Sequence, residues 1–156
     1  MKYVFFGSPE FAAIILEKLI NAGFIPEAVI CNPNKPTGRK KIITPPSVKI
    51  KIMNYELENR NKIKIFQPEN LKSIFLNLKS IEADLFIVAA YSKILPKEIL
   101  EIPQLGTIGV HPSLLPKYRG ASPIQTAILN GEKETGTTLY LMDEKMDHGP
   151  IFAQQK

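Results

Sequence analysis

The chain has 156 residues, 44% of them hydrophobic, a net charge of +5 and a single cysteine, Cys31. That length suits one domain with a substantial core, and no apolar run is long enough to cross a bilayer. An internal disulfide is excluded, and one small, apolar thiol near a strand end fits a reducing cytoplasm.

Taken in chain order, Tyr3 to Phe6 forms a short β-rich run cut off by Gly7, Ser8 and Pro9, too short for a signal peptide. From Pro9 to Ala22 the apolar residues Phe11, Ile14, Ile15, Leu16 and Leu19 recur at helical spacing. Ser8 is the expected N-cap, with Pro9 at the first helical position and Gly23 closing the helix. Ala28 to Cys31 reads as a second strand. The segment after it, with Pro33, Pro36, Gly38, Pro45 and Pro46, is too broken for any regular element. Ser47 is the expected cap of a helix reaching about Arg60, Lys64 to Phe66 a short strand, and Asn70 to Ser80 another helix. Leu85 to Ala90 is a continuous apolar run, as in strands covered on both faces. A short helix at Pro96 to Leu100 precedes a strand from Thr107 that ends at His111. Pro123 to Leu129 is helical, and Thr137 to Met142 and Pro150 to Gln154 are the closing strands. This alternation predicts the α/β class: an open, mostly parallel, Rossmann-like sheet with helices on both faces.

Ligands of such sheets bind outside the carboxyl ends of the strands. The segments Gly7 to Pro9, Cys31 to Lys41, Tyr91 to Leu95, His111 to Gly120 and Asp143 to Gly149 are therefore expected around one crevice, the last two on one rim. His111 and Asp147 together suit acid–base work, since a carboxylate can orient an imidazole and stabilise its protonated form. Asp143 competes with Asp147 by composition, and His148, beside Gly149 and Pro150, reads as loop structure. Gly7-Ser8-Pro9 lacks the remaining glycines of a dinucleotide fingerprint, and no Gly-Lys-Ser/Thr phosphate loop is present. Two histidines and one cysteine make no recognised ligand spacing, so no metal is expected. Between Lys35 and Lys64 nine basic residues face two acidic ones, a local charge of +7. Such a surplus suits an anionic partner, nucleic acid foremost, or a solvated helix face with its flanking loop.

The stretch His111-Pro112-Ser113-Leu114-Leu115-Pro116-Lys117-Tyr118-Arg119-Gly120 resembles the signature loop of the folate-dependent formyltransferases. Met142 to Pro150 resembles their aspartate loop, 36 positions separating His111 from Asp147. Phe6-Gly7-Ser8-Pro9-Glu10-Phe11-Ala12 is similar to the opening of methionyl-tRNA formyltransferases. Asn34 to Lys41 and Thr44 to Lys49 are similar to the basic loop with which that family enters the acceptor arm of tRNA. The similarity runs in order over essentially the whole chain.

The resemblance implies 10-formyltetrahydrofolate as donor and co-substrate, without a metal. It implies the α-amine of methionine on initiator tRNA as acceptor, a step of translation initiation in the cytoplasm. His111 and Asp147 would be catalytic, and Gly109 stands where the family has an asparagine that helps to bind the oxyanion. Losing one oxyanion donor typically costs about 10²–10³ in turnover, so a large gain from asparagine at 109 would mark Gly109 as the disabling change. Ser113, Leu114, Leu115 and Pro116, with Lys93, Ile94 and Leu95, would form the folate site; core packing is an equal reading for Ile94 and Leu95. Arg39, Lys40 and Lys41 would hold tRNA phosphates. The expected organisation is one catalytic domain over 1–156, monomeric and without the family's C-terminal β-barrel. Two alternatives share the same loops: a formyltransferase for a small amine such as an amino-sugar nucleotide, and an impaired fragment that only binds folate or nucleic acid.

Overall fold

The computed structural model describes residues 1–59 and 62–156. Five helices and nine strands alternate along it: β1 (Tyr3–Gly7), α1 (Glu10–Asn21), β2 (Ala28–Ile30), β3 (Lys35–Thr37), β4 (Ile42–Thr44), α2 (Ser47–Asn59), β5 (Lys64–Phe66), α3 (Phe75–Ser80), β6 (Leu85–Ala89), α4 (Lys97–Leu100), β7 (Thr107–His111), α5 (Pro123–Leu129), β8 (Thr137–Leu141) and β9 (Ile151–Gln155). Seven strands form one sheet in the order β5-β2-β1-β6-β7-β8-β9. The pairs from β5 to β7 are parallel, and β7–β8 and β8–β9 are antiparallel. The expected α/β sheet is thus present, mostly parallel, with its sense reversed at one side.

Side chains alternate across a strand, and here the alternation sorts the core into two layers. Tyr3, Phe5, Val29, Leu85 and Ala89 point to the face covered by Ala12, Ala13, Leu16 and Ile20 of α1 and Val48 and Ile52 of α2. Val4, Phe6, Ile30, Phe86 and Val88 point to the opposite face, under Leu78 of α3 and Ile99 and Leu100 of α4. Both central strands, β1 and β6, are therefore apolar throughout, as parallel strands between two helical layers must be. Gly7 lets α1 pack close: a Cβ there would lie 2.6 Å from Ala12 Cβ and 2.8 Å from the Ala89 carbonyl oxygen.

Three local expectations are corrected. Pro9, not Ser8, is the N-cap of α1, and it makes no side-chain cap; Ser8 Oγ instead accepts from the Asn32 amide at 2.9 Å, tying the ends of β1 and β2 together. The Asn70–Ser80 helix is a 3-10 turn (Leu71–Ile74) leading into α3, with Asn70 Oδ1 accepting from the Lys72 amide at 2.9 Å. The proline-rich segment is not irregular: β3 and β4 form an antiparallel hairpin. β-branched residues and a Thr37–Thr44 hydroxyl contact of 2.6 Å support it, and Gly38 and Lys41 turn the chain at φ 68° and 48°. Pro36 is tolerated because a two-stranded ribbon has an outer edge that needs no N–H. The second helix is described to Asn59; Arg60, its expected end, lies outside the described residues.

Candidate active site

Thr107, Gly109 and His111 occupy alternate positions of β7 and so share one face of the sheet, the face of Phe86 and Val88. Across the antiparallel ladder His111 stands opposite Thr138 and Gly109 opposite Tyr140, placing these four side-chain positions together. His111 is buried, with 6% exposure. Its Nε2 lies 2.9 Å from the Tyr118 carbonyl oxygen; a carbonyl only accepts, so Nε2 carries the proton in this arrangement. Nδ1 is left facing Asp147, whose Oδ2 lies 3.6 Å away. That is an ion-pair separation, too long for a hydrogen bond.

Asp147 is held on both oxygens. The Gly120 amide donates to Oδ2 at 2.7 Å and the Tyr140 hydroxyl donates to Oδ1 at 2.7 Å. Burial, and then the bond to Asp147, push the Tyr140 phenol well above its ordinary value, so it stays a donor. Asp147 and Tyr118, the two residues facing the imidazole nitrogens, both have left-handed backbones, at φ 49° and 56°. Such conformations cost about 1–3 kcal/mol each and persist where the surroundings over-determine them.

The route by which Asp147 reaches His111 differs from expectation. Because β8 is antiparallel, its loop leaves the sheet beside the amino end of β7, where the Met142 amide donates to the Thr107 carbonyl at 2.8 Å. The loop then folds back over the face carrying Gly109 and Tyr140. The two loops do not share a rim. Asp143, the competing carboxylate, forms a separate exposed pair with His148 at 2.8 Å; that hydrogen bond, with one from the Lys145 amide, holds its carboxyl below the ordinary range. His148 thus has a polar partner within its own loop.

Gly109 has a clear spatial role. A Cβ there would lie 2.5 Å from Cζ and 2.8 Å from the hydroxyl of Tyr140. The ring fills the volume that any side chain at 109 would need, so asparagine cannot simply be restored.

The seven expected folate residues divide. Ser113 and Leu115 are buried and hold their own loop: Ser113 Oγ donates to the Lys117 carbonyl at 2.6 Å, and the Leu115 amide donates to Thr138 Oγ1 at 3.1 Å. Leu114 is half-buried and Pro116 exposed. Leu95 packs in the core, as its bland reading had it, whereas Ile94 is 79% exposed. Lys93 Nζ donates to the Pro68 and Glu69 carbonyls, at 2.5 and 2.7 Å, bracing one loop on another. A cleft of about 560 Å³ lies elsewhere, lined by Leu100, Thr107, Leu141, Met142, Asp143 and His148 among others. Of these, Asp143, His148 and Met142 stood in the expected aspartate loop, whereas Leu100, Thr107 and Leu141 were not singled out, nor was Tyr140, because nothing local shows that β8 runs antiparallel. Arg39, Lys40 and Lys41 are exposed at the tip of the β3–β4 hairpin. Among the described residues no helix is long and apolar enough to cross a membrane.

The structure is a mixed α/β sheet in which a buried imidazole at the end of β7 meets a carboxylate from the β8–β9 loop, with no phosphate-binding glycine loop after β1. The chain belongs to the formyl transferase family, which it matches over residues 1–156. It is 45% identical over 156 residues to a methionyl-tRNA formyltransferase of Halalkalibacterium halodurans, covering 99% of this chain and 47% of that protein. To that of Campylobacter lari it is 49% identical over 151 residues, covering 96% and 48%. The chain thus spans about half the length of the curated relatives it matches. In fold it is similar to the crystal structure of a phosphoribosylglycinamide formyltransferase from Bacillus halodurans, with TM-score 0.74, 22% identity, and 99% and 78% of the two chains covered.

Proposed function

We propose that this chain is the catalytic domain of a methionyl-tRNA formyltransferase, moving a formyl group from 10-formyltetrahydrofolate to the methionine α-amine of initiator tRNA. The observation that carries this reading is the buried His111–Asp147 contact in a chain matching the family over its whole length. The relatives' names supply the acceptor, and the exposed basic tip at Arg39 to Lys41 suits its phosphates.

In the transfer the amine nitrogen bonds to the formyl carbon, and the carbonyl oxygen takes up the negative charge. Collapse breaks the carbon–nitrogen bond to the donor, and the proton lost by the amine ends on the departing nitrogen. His111 is the group suited to relay that proton and to meet the developing oxyanion once Nε2 exchanges the Tyr118 carbonyl for the substrate, with Asp147 at Nδ1 supporting the cationic form. The cleft of about 560 Å³ beside the 142–148 loop has the size of a small-molecule site. Its apolar walls at Leu100, Leu141 and Met142 and its polar edge at Asp143 suit a flat ring with hydrogen-bonding edges. We assign the folate ring there and leave to Ser113 and Leu115 the shaping of the histidine loop.

The test is formyl transfer to methionyl-tRNA by the parent chain and by His111→Ala and Asp147→Ala. Loss of about 10²–10⁴ in turnover is expected for each, the ordinary worth of a general acid–base group, with the unfolding midpoint kept. Unchanged turnover in both variants, or none in the parent, overturns the proposal.

A further inference from the structure

We infer that Tyr140 is a positioning residue for the His111–Asp147 pair, and that Gly109 is glycine in order to admit it. The inference rests on the proposed role of that pair and adds two residues to it. The first observation is steric: opposite Tyr140 on the ladder, position 109 has no room for even a methyl group, because the phenol ring occupies that space. The second is polar. With 4% exposure, Tyr140 carries its hydroxyl under the sheet face and spends it on Asp147 Oδ1, while the Gly120 amide holds Oδ2.

These two donors grip the carboxylate from opposite oxygens, so it cannot rotate about its Cβ–Cγ bond without breaking one of them. Rotation is what has to be prevented, since Oδ2 is the oxygen that faces His111 Nδ1. The Asp147 backbone is left-handed and, as a non-glycine, does not favour that state by itself. The loop around it therefore needs an anchor in the sheet, and Tyr140 supplies one from the neighbouring strand. Gly109 and Tyr140 act as one unit: an added side chain at 109 pushes the ring away and releases Asp147, although it touches neither His111 nor the carboxylate.

The experiment follows the ring resonances of His111 by NMR as a function of pH, with His148→Gln in every protein so that one imidazole titrates. Tyr140→Phe keeps the ring and removes only the hydroxyl, so the fold and unfolding midpoint stay close to the parent's. Its His111 midpoint is expected to fall by about half a pH unit, the worth of one modest hydrogen bond, because a loosened Asp147 supports the imidazolium less well. Gly109→Ala lowers the midpoint in the same direction when Tyr140 is present and adds nothing in a Tyr140→Leu background. A Tyr140→Phe midpoint equal to or above the parent's overturns the inference, as does a Gly109→Ala effect that survives without Tyr140. Neither measurement needs turnover, so an inactive parent sinks the proposed activity while the titration still decides the role of Tyr140.

Discussion

At position 109 a substitution that looks like repair is an intrusion. Asparagine there brings a Cβ within 2.5 Å of Tyr140 Cζ, and overpacking of this kind typically costs about 1–3 kcal/mol. Gly109→Asn alone is therefore expected to lower the urea midpoint of unfolding by a corresponding amount and to leave formyl transfer no higher than the parent's; an increase with Tyr140 in place contradicts the geometry. That His111 and Asp147 come together was legible in the sequence, because each belongs to a contiguous stretch whose residue order is distinctive. Tyr140 was not. Its partner in space is 31 positions away on a strand whose direction no local pattern reveals, and in the alternation Thr138-Leu139-Tyr140-Leu141 it looks like any inward-facing aromatic. The polar partners of Ser113 and Leu115 were not legible for a related reason: both lie beside His111 in sequence, but their polar groups are spent on Lys117 and Thr138, which no local pattern reveals.

Among the elements, the strands and helices with strong periodicity lie close to where the sequence put them, and the misses fall where prolines or competing side-chain bonds intervene. The β3–β4 hairpin is the instructive case. Five glycine and proline residues across Pro33 to Pro46 disguised two strands of three residues each, held by their own ladder and a threonine pair. Its outer surface is exposed, including Ile42 and Ile43 at 63% and 69%. Because Arg39, Lys40 and Lys41 at its tip are exposed too, replacing all three by alanine is expected to leave the free energy of unfolding within about 0.5 kcal/mol of the parent's. Binding to methionyl-tRNA, followed against salt, should weaken and lose about two to three units of slope, one for each phosphate contact removed. An unchanged slope means that the tip does not meet the phosphates.

Taken as a whole, the molecule has a pH limit set by its core. Burial pushes the Cys31 thiol up to about 11 and the Tyr91 phenol up to about 12. Both groups hold their protons more tightly folded than unfolded, so their contribution is fully present below the ordinary thiol value and is lost as pH rises through the folded one. Cys31 alone should lower the stability by about 2 kcal/mol between about pH 9 and 11, and the buried phenols add to that loss from about pH 10 upward. Cys31→Ala should flatten the first part of that decline, and urea melts across the range check it. A flat profile in the parent means that the thiol ionises as freely in the folded chain as in the unfolded one.

The change of strand direction at β7 also has a consequence in time. His111 arrives with the parallel strands, whose partners are far apart in sequence and slow to find one another. Asp147 and Tyr140 arrive with the β8–β9 hairpin, a local structure of the kind that forms in microseconds. Neither unit contains the site, which comes into being only when the hairpin docks on β7. A molecule that spans His111 and Asp147 binds the docked state alone, and it stabilises that state in proportion to the logarithm of its concentration. Such a ligand is expected to raise the unfolding midpoint of the domain whether or not any reaction follows.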